Sequence, residues 1–207
     1  MKRIRMMCAR IAFAAAASAA AGCLSSAPEA PSLWTIEYRR GSGPVVAPPV
    51  QGVPGARPEP AVRVARVDVR APFDGERIAV ERKDGTIVFD PRNSFAAPPA
   101  SLLRWAALDA VSGSPLADAA LDRMSSASTP LSLELTVRRL VLDCTRPDSR
   151  IAKVEAAAVL LDGRKAVCAS SGAGEADAGA GDYTAAFSTA FARAMDSLTG
   201  KLKIPEK

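Results

Sequence analysis

The stretch LSLELTVRRLVLD, residues 131–143, limits the fold more than any other part of this chain. Leu131, Leu133, Leu135 and Val137 alternate with Ser132, Glu134, Thr136 and Arg138. An extended backbone sends the first set to one face and the second to the other. Such a strand buries its apolar row only within a sheet that has something packed over that face.

Neighbours for it are easily found. VRVARVDV places Val62, Val64, Val67 and Val69 in near-alternation, with a slip at Ala65-Arg66 that marks a bulge. RIAVERKDGTIVFD reads as a hairpin turning at Asp84-Gly85. After Asn93 the period changes. PPASLLRWAALDAV opens with prolines, as helix starts tolerate, and sets Leu103, Ala107, Ala110 and Val111 on one face. Gly113-Ser114-Pro115 ends that helix. Residues 115–124 fit either a short helix or an edge strand. IAKVEAAAVLL and RKAVCAS form a second hairpin around Asp162-Gly163. By composition SGAGEADAGAGD, residues 171–182, reads as a flexible loop. It leads to a final helix whose Tyr183, Phe187, Ala190, Phe191, Ala194 and Leu198 keep one apolar stripe. The expectation is one α/β domain over residues 62–200, a mixed sheet with two main helices packed on it, followed by a tail at 201–207.

The amino-terminal part has a different logic. Lys2, Arg3, Arg5 and Arg10 precede an Ala-dominated run from Ile11 to Ala21, and no acid appears before Glu29. This is the layout of an export signal, and the run is too short to span a bilayer, which takes about 20 apolar residues. Ala20-Ala21-Gly22-Cys23 resembles the lipobox of bacterial lipoproteins, with alanine where leucine is usual. The resemblance implies a signal at residues 1–22 and a diacylglyceryl group on Cys23. The alternative is ordinary signal cleavage after Ala19 or Ala21. Residues 23–61 follow as a lipidated start, one early strand in LWTIEY (33–38), and a Pro/Gly-rich loop. Eight of the sixteen prolines fall in residues 24–61, a composition that does not bury enough apolar surface to order itself. The tether from Cys23 to Ser32 is short, so the body is expected close to its membrane.

Removing residues 1–22 also takes four of the 27 basic residues and none of the 22 acidic ones. The mature chain is nearly neutral, which gives no electrostatic footprint for nucleic acid. Cys8 leaves with the signal and Cys23 carries lipid. Cys144 and Cys168 remain in an exported chain, and counting favours a disulfide between them, contributing about 3 kcal/mol, over two buried free thiols.

The order of these pieces resembles a known family. LWTIEY, VRVARVDV, RIAVERKDGTIVFD, RNSFAAPPASLLRWAALDAV and LSLELTVRRLVLD, after a lipobox, are similar to the ABC-type transport auxiliary lipoproteins, also called PqiC-like. Where that family usually has Trp-Ala-Glu-Pro, this chain has Phe95-Ala96-Ala97-Pro98, losing the acid. The resemblance implies a periplasmic α/β domain anchored to a membrane, usually the outer one, and working with an MCE-domain protein and an ABC-type permease in lipid transport. Leu24, rather than an acid after the anchor, agrees with outer-membrane sorting.

The chemistry available is narrow. Histidine is absent, so Ser-His-Asp and Cys-His arrangements are not possible. Neither a phosphate-binding loop nor a metal-spaced cluster stands out, and no cofactor or metal is expected. Asp68 with Asp74, Glu76 with Glu81, and Asp143 with Asp148 are read as solvated surface charge. Arg138-Arg139 reads as a solvated pair near a strand end. Phe95 and Trp105 are candidates for partner contact, with a core role favoured for at least one of them. The leading expectation is a non-enzymatic, lipid-anchored transport subunit. The alternative is a stand-alone lipoprotein carrying an apolar ligand between sheet and helices.

Overall fold

The computed structural model describes residues 31–38, 61–112, 114–179 and 181–204. The export signal, Cys23 and most of the Pro-rich segment lie outside these residues. The alternating run forms β6 (Leu131–Asp143) at the expected limits, and the sheet is built around it. One edge of β6 pairs antiparallel with β7 (Ile151–Asp162), which pairs with β8 (Lys165–Asp177). The other edge takes two parallel strands in series. First β2 (Ala61–Val69) lies along Ser132–Val137, then β3 (Arg77–Glu81) meets Leu142 and Asp143. The sheet therefore forks. One arm continues from β2 to β5 (Ala119–Asp122), settling that ambiguous stretch as an edge strand. The other runs from β3 to β4 (Ile87–Phe95) and then to β1 (Ser32–Trp34).

Two bulges set the buried side. The one expected in β2 falls between Val64 and Arg66. A second, between Val137 and Arg139, shifts the parity of β6. The row facing the core is thus Leu133, Leu135 and Val137, then Leu140 and Leu142. Helices α1 (Pro99–Val111) and α2 (Tyr183–Thr199) cover this face, α1 over β2 and β5, α2 over β7 and β8. Asp182 caps α2 by accepting from the Ala185 amide at 2.9 Å. All six residues of the predicted α2 stripe are buried, with Phe187 edge-on to Phe95 at 5.5 Å between ring centroids. Each large, fully buried side chain of this kind contributes about 1.5–3 kcal/mol.

Four expectations are corrected. Residues 171–177 are not loop but the second half of β8, so the connection to α2 is only 178–182. The glycines that suggested flexibility serve contact instead. A Cβ on Gly174 would lie 2.0 Å from the Ala190 carbonyl oxygen, and one on Gly172 would lie 2.1 Å from that of Ala194. Composition reads such a segment as slack, whereas here it lets helix and strand backbones approach.

Second, the early strand stops at Trp34. Residues 35–38 lie along α2 instead. The Thr35 amide donates to Thr184 Oγ1 at 3.3 Å, the Glu37 amide to Ser188 Oγ at 2.9 Å, and the Tyr38 hydroxyl to Asp196 at 3.0 Å. Third, Leu202 is buried, so the body takes in part of the expected tail.

Fourth, Cys144 and Cys168 are free thiols. Cys168 sits opposite Leu160, which sits opposite Leu133, while Cys144 follows the far end of β6. That register separates them by roughly 36 Å at 3.3 Å per residue. A disulfide needs Cα atoms within about 7 Å.

Candidate functional site

The bulge in β2 governs what α1 shows to solvent. At the bulge the Ala65 carbonyl accepts from Arg104 Nη2 at 3.3 Å, and Arg104 Nε also pairs with Asp122 of β5 at 3.1 Å. This clamp fixes the rotation of α1. Leu103, Ala106, Ala107 and Ala110 then face the sheet, and Trp105 points away with 65% of its surface exposed. Half-buried Leu102 and Leu108 lie one turn either side of it. Met124, two residues past Asp122, is exposed as well. Trp105 is therefore available for contact. Phe95, the other aromatic singled out by sequence, is not. It is 2% exposed in the core, its ring packed against Phe187 of α2.

The motif around Asn93 has a structural explanation. Asp90 accepts from the amides of Arg92 and Asn93 at 2.8 and 3.1 Å, an Asx turn around Pro91. Asn93 Nδ2 donates to the same carboxylate at 2.9 Å, leaving its Oδ1 to accept from the Trp34 indole at 2.8 Å. Trp34 then leans on Tyr183, with ring centroids 5.1 Å apart. The Asn-x-aromatic pattern thus joins β1, β4 and α2.

On the face of the sheet away from the helices, charges pair across strands. Lys153 Nζ lies 2.7 Å from Asp143 and 3.5 Å from Glu175. Arg139 binds Glu81 and sits 3.6 Å from Glu155. On the same face Val141, opposite Lys153, and Ala79 are buried outside the main core. Asp143, a solvated charge by sequence, is instead nearly buried. Burial pushes its carboxyl up, but the Lys153 ammonium and the Thr145 amide outweigh that and hold it at about 2. The sequence carried a hint, since Lys153 and Glu155 both fall on the polar side of their strand. Their partners come from register, which a single sequence does not print.

The other carboxylates do not converge. Asp68 pairs with Arg66 at 2.6 Å, Glu81 is held by Arg139, and Asp74, Glu76 and Asp148 are exposed. Among the described residues no group of three or more His, Cys, Asp or Glu is placed to hold a metal. A concavity of about 430 Å³ among the described residues is open and lined by Arg138, Glu155, Ser171, Ser197 and Lys201 among others. Arg138 is exposed there, as a solvated residue. Burial raises the Cys144 thiol above its ordinary range, which disfavours the reactive thiolate. The long edge of β8 is guarded. Arg193 donates to the Glu175 carbonyl and Lys201 to that of Ser171, two groups that point outward from the sheet.

This forked sheet with two helices on one face can be set beside known proteins. The model of the ABC-type transport auxiliary lipoprotein component matches residues 45–202. The chain belongs to that family. The auxiliary lipoprotein also resembles solved structures in fold. The crystal structure of protein XCC0632 from Xanthomonas campestris, 18% identical, matches with a TM-score of 0.53 over 83% of this chain and 89% of that one. The crystal structure of an uncharacterized protein, 14% identical, matches at 0.51 over 68% and 88%. No curated protein matches the sequence.

Proposed function

We propose that this auxiliary lipoprotein is anchored through Cys23 to the periplasmic face of the outer membrane. There it serves as a non-enzymatic subunit of an ABC/MCE-type system moving lipid between membranes. The family match over residues 45–202 carries this reading. The site chemistry agrees with it, since the carboxylates near the concavities are ion-paired or dispersed rather than poised. The carrier alternative draws less support, because Phe187, Phe191, Met195 and Leu198 fill the space between sheet and helices. On this reading the outward side of α1, with Trp105 at its centre, docks the MCE-domain protein or the permease. An exposed tryptophan flanked by half-buried leucines fits a contact anchor. Tethering lets a weak contact suffice.

The test is co-purification from membranes of the native host. Wild-type protein should retain an MCE-domain protein and its permease, and Trp105→Asp should lose them while keeping the wild-type melting temperature. Equal recovery with Trp105→Asp would move the contact elsewhere. Absence of both partners from the wild-type complex would remove the transport assignment.

A further inference from the structure

Leu33 and Phe89 are exposed by 65% and 42%, and both lie on the β3–β4–β1 arm of the sheet. Register places them on the side away from the helices. Phe89 pairs with Ala79, whose neighbours Ile78 and Val80 face the core. Leu33 is opposite Ser94, which is opposite exposed Arg77, while the adjacent Trp34 faces α2. Half-buried Ile87 extends the apolar area next to Phe89. Trp105 lies on the other side, beyond the helix layer.

The chain itself indicates what meets this surface. Leu33 is ten residues after Cys23, so the backbone reaches at most about 36 Å between them. A patch tethered so closely to a lipid-bearing residue meets the leaflet at high effective concentration. Exposed apolar side chains beside an arginine suit the boundary between acyl chains and anionic headgroups.

Resting on the lipid-anchor reading, we propose that the Leu33–Phe89–Arg77 side of the sheet lies against the leaflet that holds Cys23. The anchor then fixes orientation as well as location, and α1 with Trp105 is turned toward the periplasm. Two apolar patches on opposite faces of one sheet acquire separate partners.

Indole quenching tests this on full-length, lipidated protein in phosphatidylethanolamine/phosphatidylglycerol vesicles carrying brominated acyl chains. The reporter chain is Phe89→Trp with Trp105→Phe, compared with wild type; both keep Trp34. The expected result is loss of most emission from the indole at position 89, with little bromine effect on wild type. Quenching at Trp105 instead, or at neither position in vesicle-bound protein, would overturn the orientation. An unquenched blue shift at position 89 that grows with protein concentration would assign the face to a second copy and overturn it too. Protein that fails to float with vesicles would remove the anchor, and this proposal with it.

Discussion

Replacing Gly174 by alanine should lift α2 from the sheet. The added Cβ would lie 2.0 Å from the Ala190 carbonyl oxygen, 2.8 Å from the Ala194 amide nitrogen and 2.9 Å from Arg193 Cβ. Ordinary contact begins at 3.4 Å, so the helix must retreat by about 1.4 Å. The obstacle is helix backbone, which has no rotamer to escape into. Overpacking of this kind costs about 1–3 kcal/mol or more, and the retreat also loosens Phe187, Phe191 and Met195. Alanine in place of glycine in a strand returns about 0.5–1 kcal/mol. With the cost at the upper end of that range, because the obstacle is backbone, a net loss of about 2 kcal/mol follows, which lowers the melting temperature of a domain this size by about 4–8 °C. Circular-dichroism melts of the unlipidated Cys23→Ser chain would measure it, with Ala173→Ser as control on the exposed side of the same strand. One retreat serves both glycines, so Gly172→Ala with Gly174→Ala should cost less than the sum of the singles. An unchanged melt for Gly174→Ala, or strict additivity of the pair, would refute the close-approach argument.

Three further outcomes are expected. Alkylation of exported, unfolded protein under non-reducing conditions should modify both Cys144 and Cys168; a linked peptide pair would contradict the sheet register. Because the folded carboxyl of Asp143 titrates at about 2, below its ordinary value near 3.8, its stabilisation is complete above about pH 4 and fades as pH falls through 2. After allowance for screening that is about 1–2 kcal/mol, so Asp143→Asn should lower the urea midpoint at neutral pH and flatten its fall toward pH 2; parallel curves would refute it. Arg193→Ala with Lys201→Ala uncovers two outward carbonyls of β8 and should produce concentration-dependent self-association in sedimentation, whereas a persistent monomer would show that the edge needs no guard.

Local pattern accounts for much of the fold. β6, the Asp84-Gly85 hairpin, the bulge near Ala65, α1 and α2 are all written in periodicity, turn residues or proline placement. The errors arose where a long-range partner decides the outcome. SGAGEAD looks unstructured until a helix lies on its glycines, and ILE-GLU-TYR at 36–38 looks like strand until the hydroxyls of α2 take up neighbouring amides. The cysteine pairing rested on number and compartment, while distance was set by two strand registers. Trp105 emerged as exposed only with the Arg104 clamp, which bridges residues 65, 104 and 122.

The clasp of residues 32–38 on α2 bears on how the molecule matures. Its hydrogen bonds join positions about 150 apart in the chain. On the export reading proposed above the amino-terminal segment emerges first, and its mates at 184, 188 and 196 follow about 150 residues later. Trp34, Thr35 and Glu37 must wait for them, so this corner of the molecule is sealed only after α2 has followed. A periplasmic protease or chaperone has its opening in that interval.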